Sequence, residues 1–300
     1  VFRPSQASAL IALCCTVGGA VLVGCDDAPQ ADALSATARP TDGDPFSGTT
    51  TIDVGSGSVH VSCSGGPALG EPVIVLMAGA GDPLEKLAGI QQTLSEDHQV
   101  CAYDRLGEGA SDAPDGPQDV ASSGEVLTGV LDEVAGNSPV VLVGHSLGGL
   151  IAARYAPDHP GEVAGLVLLD ATPPHAITDT MNLIPESATG PAAEIRGQMI
   201  AVGDGQNPEK LEVTDGDVRS AGDIPVEVIQ HGPHFLTAIP DYGQDLERIW
   251  TKGQNEWLAV SSRSTLSVAT ESSHHIYLDQ PDVAVQAVQR VVSQVEEDAG

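Results

Sequence analysis

The chain has 300 residues, 41% of them hydrophobic and only 3% aromatic, so a sizeable core built from Val, Leu, Ile and Ala is expected and disorder throughout is excluded. Its 42 Asp and Glu outnumber 12 Lys and Arg, for a formal net charge of −30. That field repels phosphate backbones, which excludes nucleic acid as a partner and leaves an acidic solubilising surface as the plain reading.

The first element is a targeting segment. Ala9 to Val23 reads ALIALCCTVGGAVLV, an uncharged apolar run with Arg3 before it and Asp26 and Asp27 after it. It is short for a spanning helix and has the layout of a secretory signal. Its end, Leu22-Val23-Gly24-Cys25, resembles the bacterial lipoprotein signal. The resemblance implies cleavage before Cys25, acylation of its thiol with palmitate-type chains, and a lipid anchor at the extracytoplasmic face of the cell membrane. An ordinary cleaved signal would instead give a secreted protein. The expected organisation is a signal over 1–24, the acylated Cys25 and a tether over 25–48, and one globular domain over 49–300. The tether lacks periodicity and is rich in small residues and Pro, and its ~20 residues would span about 25 Å.

From Thr49 the pattern turns globular. TTIDV and SVHVSC flank GSG as a β-hairpin. Pro72–Gly79 is a continuous apolar run suited to a buried parallel strand, Leu84–Leu94 is helix-like, and His98–Asp104 is a strand. Val120–Val134 has helical spacing, Pro139–Gly144 is another buried strand, Leu147–Ala156 a helix and Val163–Asp170 a strand. Ala171 to Asp223 interrupts the alternation and reads as an inserted cap. Ile224–Gln230 is a strand, Tyr242–Val260 a helix, Leu266–Ala269 a short strand and Val283–Val295 the last helix. Strands alternating with helices predict an α/β fold, a mostly parallel sheet with helices on both faces.

Gly144-His145-Ser146-Leu147-Gly148 is a G-x-S-x-G pentapeptide between a buried strand and a helix, the context a nucleophile elbow requires. Asp104-Arg105-Leu106-Gly107-Glu108-Gly109-Ala110-Ser111 is similar to a D-R-x-G-x-G-x-S turn. By these motifs the chain from about Thr49 onward resembles the α/β-hydrolase superfamily. The resemblance implies the α/β-hydrolase fold and a Ser nucleophile at Ser146. Asp104 and Arg105 read as braces of a nearby loop. Where the family places His-Gly after its third strand, this chain has Ala78-Gly79-Ala80-Gly81. The oxyanion donors are backbone N–H groups, so Ala80 and Leu147 can still serve.

In this family the chain order is Ser, acid, His. Among the histidines after Ser146, namely His159, His175, His231, His234, His274 and His275, the segment Ser273 to Pro281 resembles the family's H-x-x-x-x-x-x-P stretch. It assigns His274 as the base and His275 as its neighbour. His159 reads as a solvated or capping residue, and His231 and His234 as loop or cap residues. The family's usual acid follows its seventh strand, where this chain has His231-Gly232-Pro233-His234 and no carboxylate. Asp170, ending the sixth strand, is the expected acid, with Asp241 the alternative.

Cys63 and Cys101 form an even pair in an exported chain, where disulfides persist. The resemblance makes the second and fourth strands neighbours about 4.7–4.9 Å apart, which implies a Cys63–Cys101 bridge in place of two buried free thiols. No Cys/His cluster has zinc spacing and no phosphate loop is present, so no metal or cofactor is implied. The expected activity is that of an esterase-like serine hydrolase, expected as a monomer, on a small-molecule ester or acyl substrate. An aminopeptidase-type amide hydrolase, or a non-catalytic receptor or structural lipoprotein on the same scaffold, is the competing expectation.

Overall fold

A computed structural model describes residues 47–66, 70–233 and 235–300. The signal, Cys25, all but the last two residues of the tether, and His234 lie outside the described residues. In chain order the elements are β1 (Gly48–Asp53), β2 (Ser58–Ser64), β3 (Val73–Met77), α1 (Ala88–Leu94), β4 (Val100–Tyr103), β5 (Gln118–Asp119), α2 (Val120–Val134), β6 (Val140–His145), α3 (Leu147–Tyr155) and β7 (Val163–Leu169). They continue with α4 (Ala176–Leu183), α5 (Pro191–Gly203), β8 (Leu211–Glu212), β9 (Pro225–His231), α6 (Gly243–Glu256), β10 (Arg263–Ala269), α7 (Ile276–Asp279) and α8 (Pro281–Ala299).

Eight strands form one sheet in the order β1-β2-β4-β3-β6-β7-β9-β10. The hairpin and its junction with β4 are antiparallel, and every pair from β4 to β10 is parallel. Every residue of β3, β4 and β6 is buried, because helices cover both faces there. One face packs its Val and Leu side chains against α2 and α3, the other against α1 and α8. The start of α2 is fixed by Asp119, which accepts the Ser122 N–H at 2.8 Å in a capping box. The expected helix over Leu84–Leu94 begins as a 3-10 turn over Leu84–Leu87 and becomes helical only at Ala88. No described helix is long and apolar enough to cross a membrane.

The segment expected as an inserted cap, 171–223, packs in two directions. Its helices α4 and α5 close a small apolar cluster, Ile184 and Ala192, only with Leu236, Ile239 and Leu246 from beyond β9. Its last third returns to the body. Leu211 and Val213 belong to the main core, and β8 pairs with β5. Interrupted periodicity marks where an insertion begins, but not which surface each part finds.

Cys63 faces Cys101 directly across the antiparallel β2–β4 register, and the two form a disulfide. The bridge closes a loop of sequence separation 38, for which the chain-entropy model gives about 3–4 kcal/mol. Alkylation in denaturant without reductant is expected to leave both cysteines unmodified. Replacing the pair by Ser is expected to lower the stability read from urea unfolding by an equivalent amount; two free thiols in protein purified without reductant would contradict the bridge.

Candidate active site

The site is built at the carboxyl ends of β6 and β7. Ser146 sits between β6 and α3 with φ 49° and ψ −117°, a region that L residues rarely adopt. Glycine allows the close packing that imposes it. A Cβ on Gly144 would lie 2.5 Å from Gly149 Cα, and one on Gly148 would lie 2.5 Å from the Met77 carbonyl oxygen. The Ser146 N–H donates to the Leu169 carbonyl at 3.1 Å, and its own carbonyl accepts from Thr172 N at 3.0 Å. The hydroxyl is left on the sheet's rim, where Oγ lies 3.4 Å from Thr172 Oγ1. Among the described residues it is not hydrogen-bonded to His274.

Asp170 ends β7 in a positive-φ conformation (φ 48°) and is fully buried. Its Oδ2 accepts from His274 Nδ1 at 2.6 Å and from His231 Nδ1 at 2.7 Å. Its Oδ1 accepts from Trp250 Nε1 at 2.8 Å and from the His231 backbone N–H at 3.2 Å. Burial alone would push this carboxyl up, but the bonds and charges of the two imidazoles prevail and hold it well below the usual carboxylate range. The structure thus brings Asp170 and His274 together, while Asp241 is exposed just before α6.

His231 was expected only as a loop or cap residue. It ends β9, the seventh strand of the main sheet, and takes the place where the family's acid usually sits. Its Nε2 faces Glu247 Oε2 of α6 at 3.2 Å. Burial works against its charge, yet bonds to Asp170 and Glu247 push it up to about 9. Neither Glu247 nor Trp250 carries a sequence signal, since both lie on an ordinary amphipathic helix.

The remaining histidines divide clearly. His145 is buried under the site and donates Nε2–H to the His274 carbonyl at 3.0 Å; burial holds it neutral, well below its usual value. His275 turns away to Asp82 Oδ2 at 3.2 Å. Burial opposes the Asp82 charge, but His275 and Lys86 lower its pKa to about 2. His159 pairs with Glu162 at 3.0 Å and His175 with Glu256 at 3.2 Å. Asp82, His145 and His275 form one group whose donor atoms lie within 4.8 Å of one another, and Asp170, His231 and His274 form another. In the second group, the donors already satisfy each other.

The expected oxyanion loop lies against Ser146, for a Cβ on Gly79 would sit 3.3 Å from Ser146 Cβ. Arg105 holds this loop from behind, donating to the carbonyls of Ala78 at 2.6 Å and Gly79 at 3.0 Å. In a trans peptide the C=O and the next N–H point oppositely. Fixing the Gly79 carbonyl on Arg105 therefore turns the Ala80 N–H to the other side. Leu147 N–H stands at the first position of α3, where it has no intrahelical acceptor. Arg105 is itself clamped in a bidentate pair by Glu209 of the insertion, at 2.7 and 2.8 Å. Desolvation would lower the guanidinium, but Glu209 more than offsets it and keeps it above its usual value. Glu108 accepts the Gly81 N–H at 2.9 Å; burial and the nearby Glu209 raise it to about 7. Asp104 braces the same turn through Leu84 N at 2.7 Å and Ala110 N at 2.9 Å.

The model of a family described as "alpha/beta hydrolase fold" matches residues 72–188. A Variovorax paradoxus protein named "Putative carbamate hydrolase RutD" is 36% identical over 107 residues, 35% of this chain and 40% of that protein. The chain spans well under half the length of the curated relatives it matches. Among solved structures, the enol-lactonase from Burkholderia xenovorans LB400 superposes with TM-score 0.59 at 19% identity, over 81% of this chain and all of that one. The proline iminopeptidase of Mycobacterium smegmatis gives 0.61 at 16%, over 84% and 100%. The chain has the α/β-hydrolase fold.

Because Arg105 and Glu209 are both buried, removing one strands the other's charge. Glu209→Ala is expected to cost about 3–5 kcal/mol in urea unfolding, and Asp158→Ala at the exposed, solvent-screened Arg219 pair far less. Equal losses would mean that the Glu209 pair does not hold the loop.

Proposed function

We propose that the chain is a serine hydrolase that cleaves a carboxylic ester, or a related acyl bond, through an acyl-enzyme. The observation that carries this reading is the His274–Asp170 bond of 2.6 Å beside the strained Ser146 elbow. With Nδ1–H donated to Asp170, the neutral His274 keeps Nε2 as a bare acceptor. Ser146 Oγ attacks the carbonyl carbon as Nε2 takes its proton, and the N–H groups of Ala80 and Leu147 receive the developing oxyanion. The tetrahedral intermediate expels the alcohol, which leaves with the proton from His274. A water then gives its proton to His274 and attacks the acyl carbon. Collapse returns the proton to Ser146 Oγ and releases the acid. A relative named for carbamates and a structural neighbour named for an enol-lactone support an acyl substrate.

Ser146→Ala is expected to lose about 10⁶-fold in turnover of short p-nitrophenyl esters, and all fluorophosphonate labelling, without loss of stability. Asp170→Asn is expected to lose about 10⁴-fold by leaving His274 in the wrong tautomer. His274→Ala is expected to be nearly inactive, whereas His275→Ala and Asp241→Asn keep most activity. Undiminished Ser146→Ala turnover would overturn the mechanism, and the opposite ranking of the two Asp variants would reassign the acid.

The same reading places the enzyme at the outer face of the membrane through an acylated Cys25, supported by the Leu22–Cys25 motif at the end of an apolar run. Two chains suffice for stable anchoring. Cys25→Ser is expected to abolish fatty-acid labelling and release the domain; a soluble, unlabelled product with Cys25 intact would indicate an ordinary secretory signal.

A further inference from the structure

The carboxylate of Asp170 serves two histidines, and their surroundings differ. His274 has one carboxylate partner, at Nδ1. His231 has two, with Nδ1 at 2.7 Å from Asp170 Oδ2 and Nε2 at 3.2 Å from Glu247 Oε2. An ionised carboxylate only accepts hydrogen bonds, so a ring lying between two of them donates from both nitrogens and carries a proton on each. No part of the His231 side chain is exposed, so water does not replace either partner.

We propose that His231 is a positioning residue, a standing imidazolium between Asp170 and Glu247 that sets the pH range in which His274 can act as a base. This rests on the reading of Ser146, His274 and Asp170 as the catalytic unit. The cation on His231 shares an oxygen with His274, so it opposes the arrival of a second positive charge there. The His231 cation thus offsets part of the pull of Asp170 on the charge that His274 takes up when it accepts the Ser146 proton. The upward shift of His231 to about 9 agrees with the hydrogen-bond count.

The other groups facing this pair leave the charge balance to Glu247. Among the described residues, the strand ends supply Asp170, His231 and His145. From α6 come Glu247 and the Trp250 indole, whose ring lies 5.8 Å from that of His231 and whose N–H goes to Asp170. Glu247 is held in place by the Gln230 amide at 3.2 Å. Phe235 presents an edge-on ring 5.1 Å from His231. Facing His274 are the neutral His145, at 4.5 Å between rings, and His275, at 5.5 Å, which is turned to Asp82 and, through it, Lys86. Glu247 supplies the extra negative charge that lets a buried cation stand beside the catalytic carboxylate without neutralising it.

Two measurements on the full chain test this. In nitrogen NMR of histidine-labelled protein, one of the nine rings is expected to remain imidazolium at pH 8, with its signal absent in His231→Gln. A His231 ring with one bare nitrogen at pH 8 would overturn the proposal, as would a parent spectrum with no imidazolium ring at that pH, a result that needs no variant to fold. In the pH profile of kcat/KM for p-nitrophenyl acetate, His231→Gln is expected to move the acid limb up by about one pH unit, the scale of one unit charge at close range. The same variant is expected to keep a plateau well above that of Asp170→Asn. A fallen plateau with an unmoved limb would make His231 a brace and nothing more. Absence of Ser146-dependent hydrolysis in the parent would overturn the functional reading and with it the tuning, while the NMR spectrum would still decide whether a charged ring sits on Asp170.

Discussion

One buried negative charge organises the carboxyl edge of the sheet. Asp170 is fully enclosed, and an unpaired carboxylate there would be prohibitively costly. Four donors meet it instead, drawn from the end of β9, the middle of α6 and the loop after β10. These segments are far apart in sequence, so the charge fixes their relative placement. Satisfying Asp170 aligns the His274 ring, seats Trp250, and ties α6 to the sheet.

A second buried charge does the same for the opposite wall. Arg105 holds the two carbonyls before Ala80, and Glu209 reaches in from the insertion to neutralise it. The insertion is therefore more than a cover. Its segment before β8 is stitched to the turn after β4, where Gly107 allows a close approach that a Cβ would block at 2.3 Å from the Pro208 carbonyl. The loop expected to receive the oxyanion is thus mechanically linked to the insertion through Arg105 and Glu209. Ser146 stands between these two charged supports on a backbone conformation that isolated chains avoid. Glycines at 144, 148 and 149 let β6, α3 and the Met77 carbonyl close around it.

Much of this was legible in the sequence, because local rules govern it. Short apolar runs bounded by Pro and Gly suit buried strands by their length and flanks, and β3 and β6 emerged within a residue or two of their expected bounds. Helical periodicity gave α2 to the residue. The elbow pentapeptide is a local steric device, so its residues announce it. His274 and Asp170 were reachable because each ends or follows a recognisable strand at the sheet's carboxyl edge.

What the sequence determined by itself was therefore the set of elements, the strained turn and the short list of groups able to do chemistry there, since each follows from spacing within one segment. Only the tertiary structure decided which charges meet. His231 carried no motif and became the second partner of Asp170 because β7 and β9 are adjacent in the sheet. Glu247 and Glu209 are unremarkable acids in a chain with 42 of them, selected only by what lies opposite. Buried charges are paired across long separations, and pairing of that kind depends on the closing of the whole fold, which no local pattern encodes.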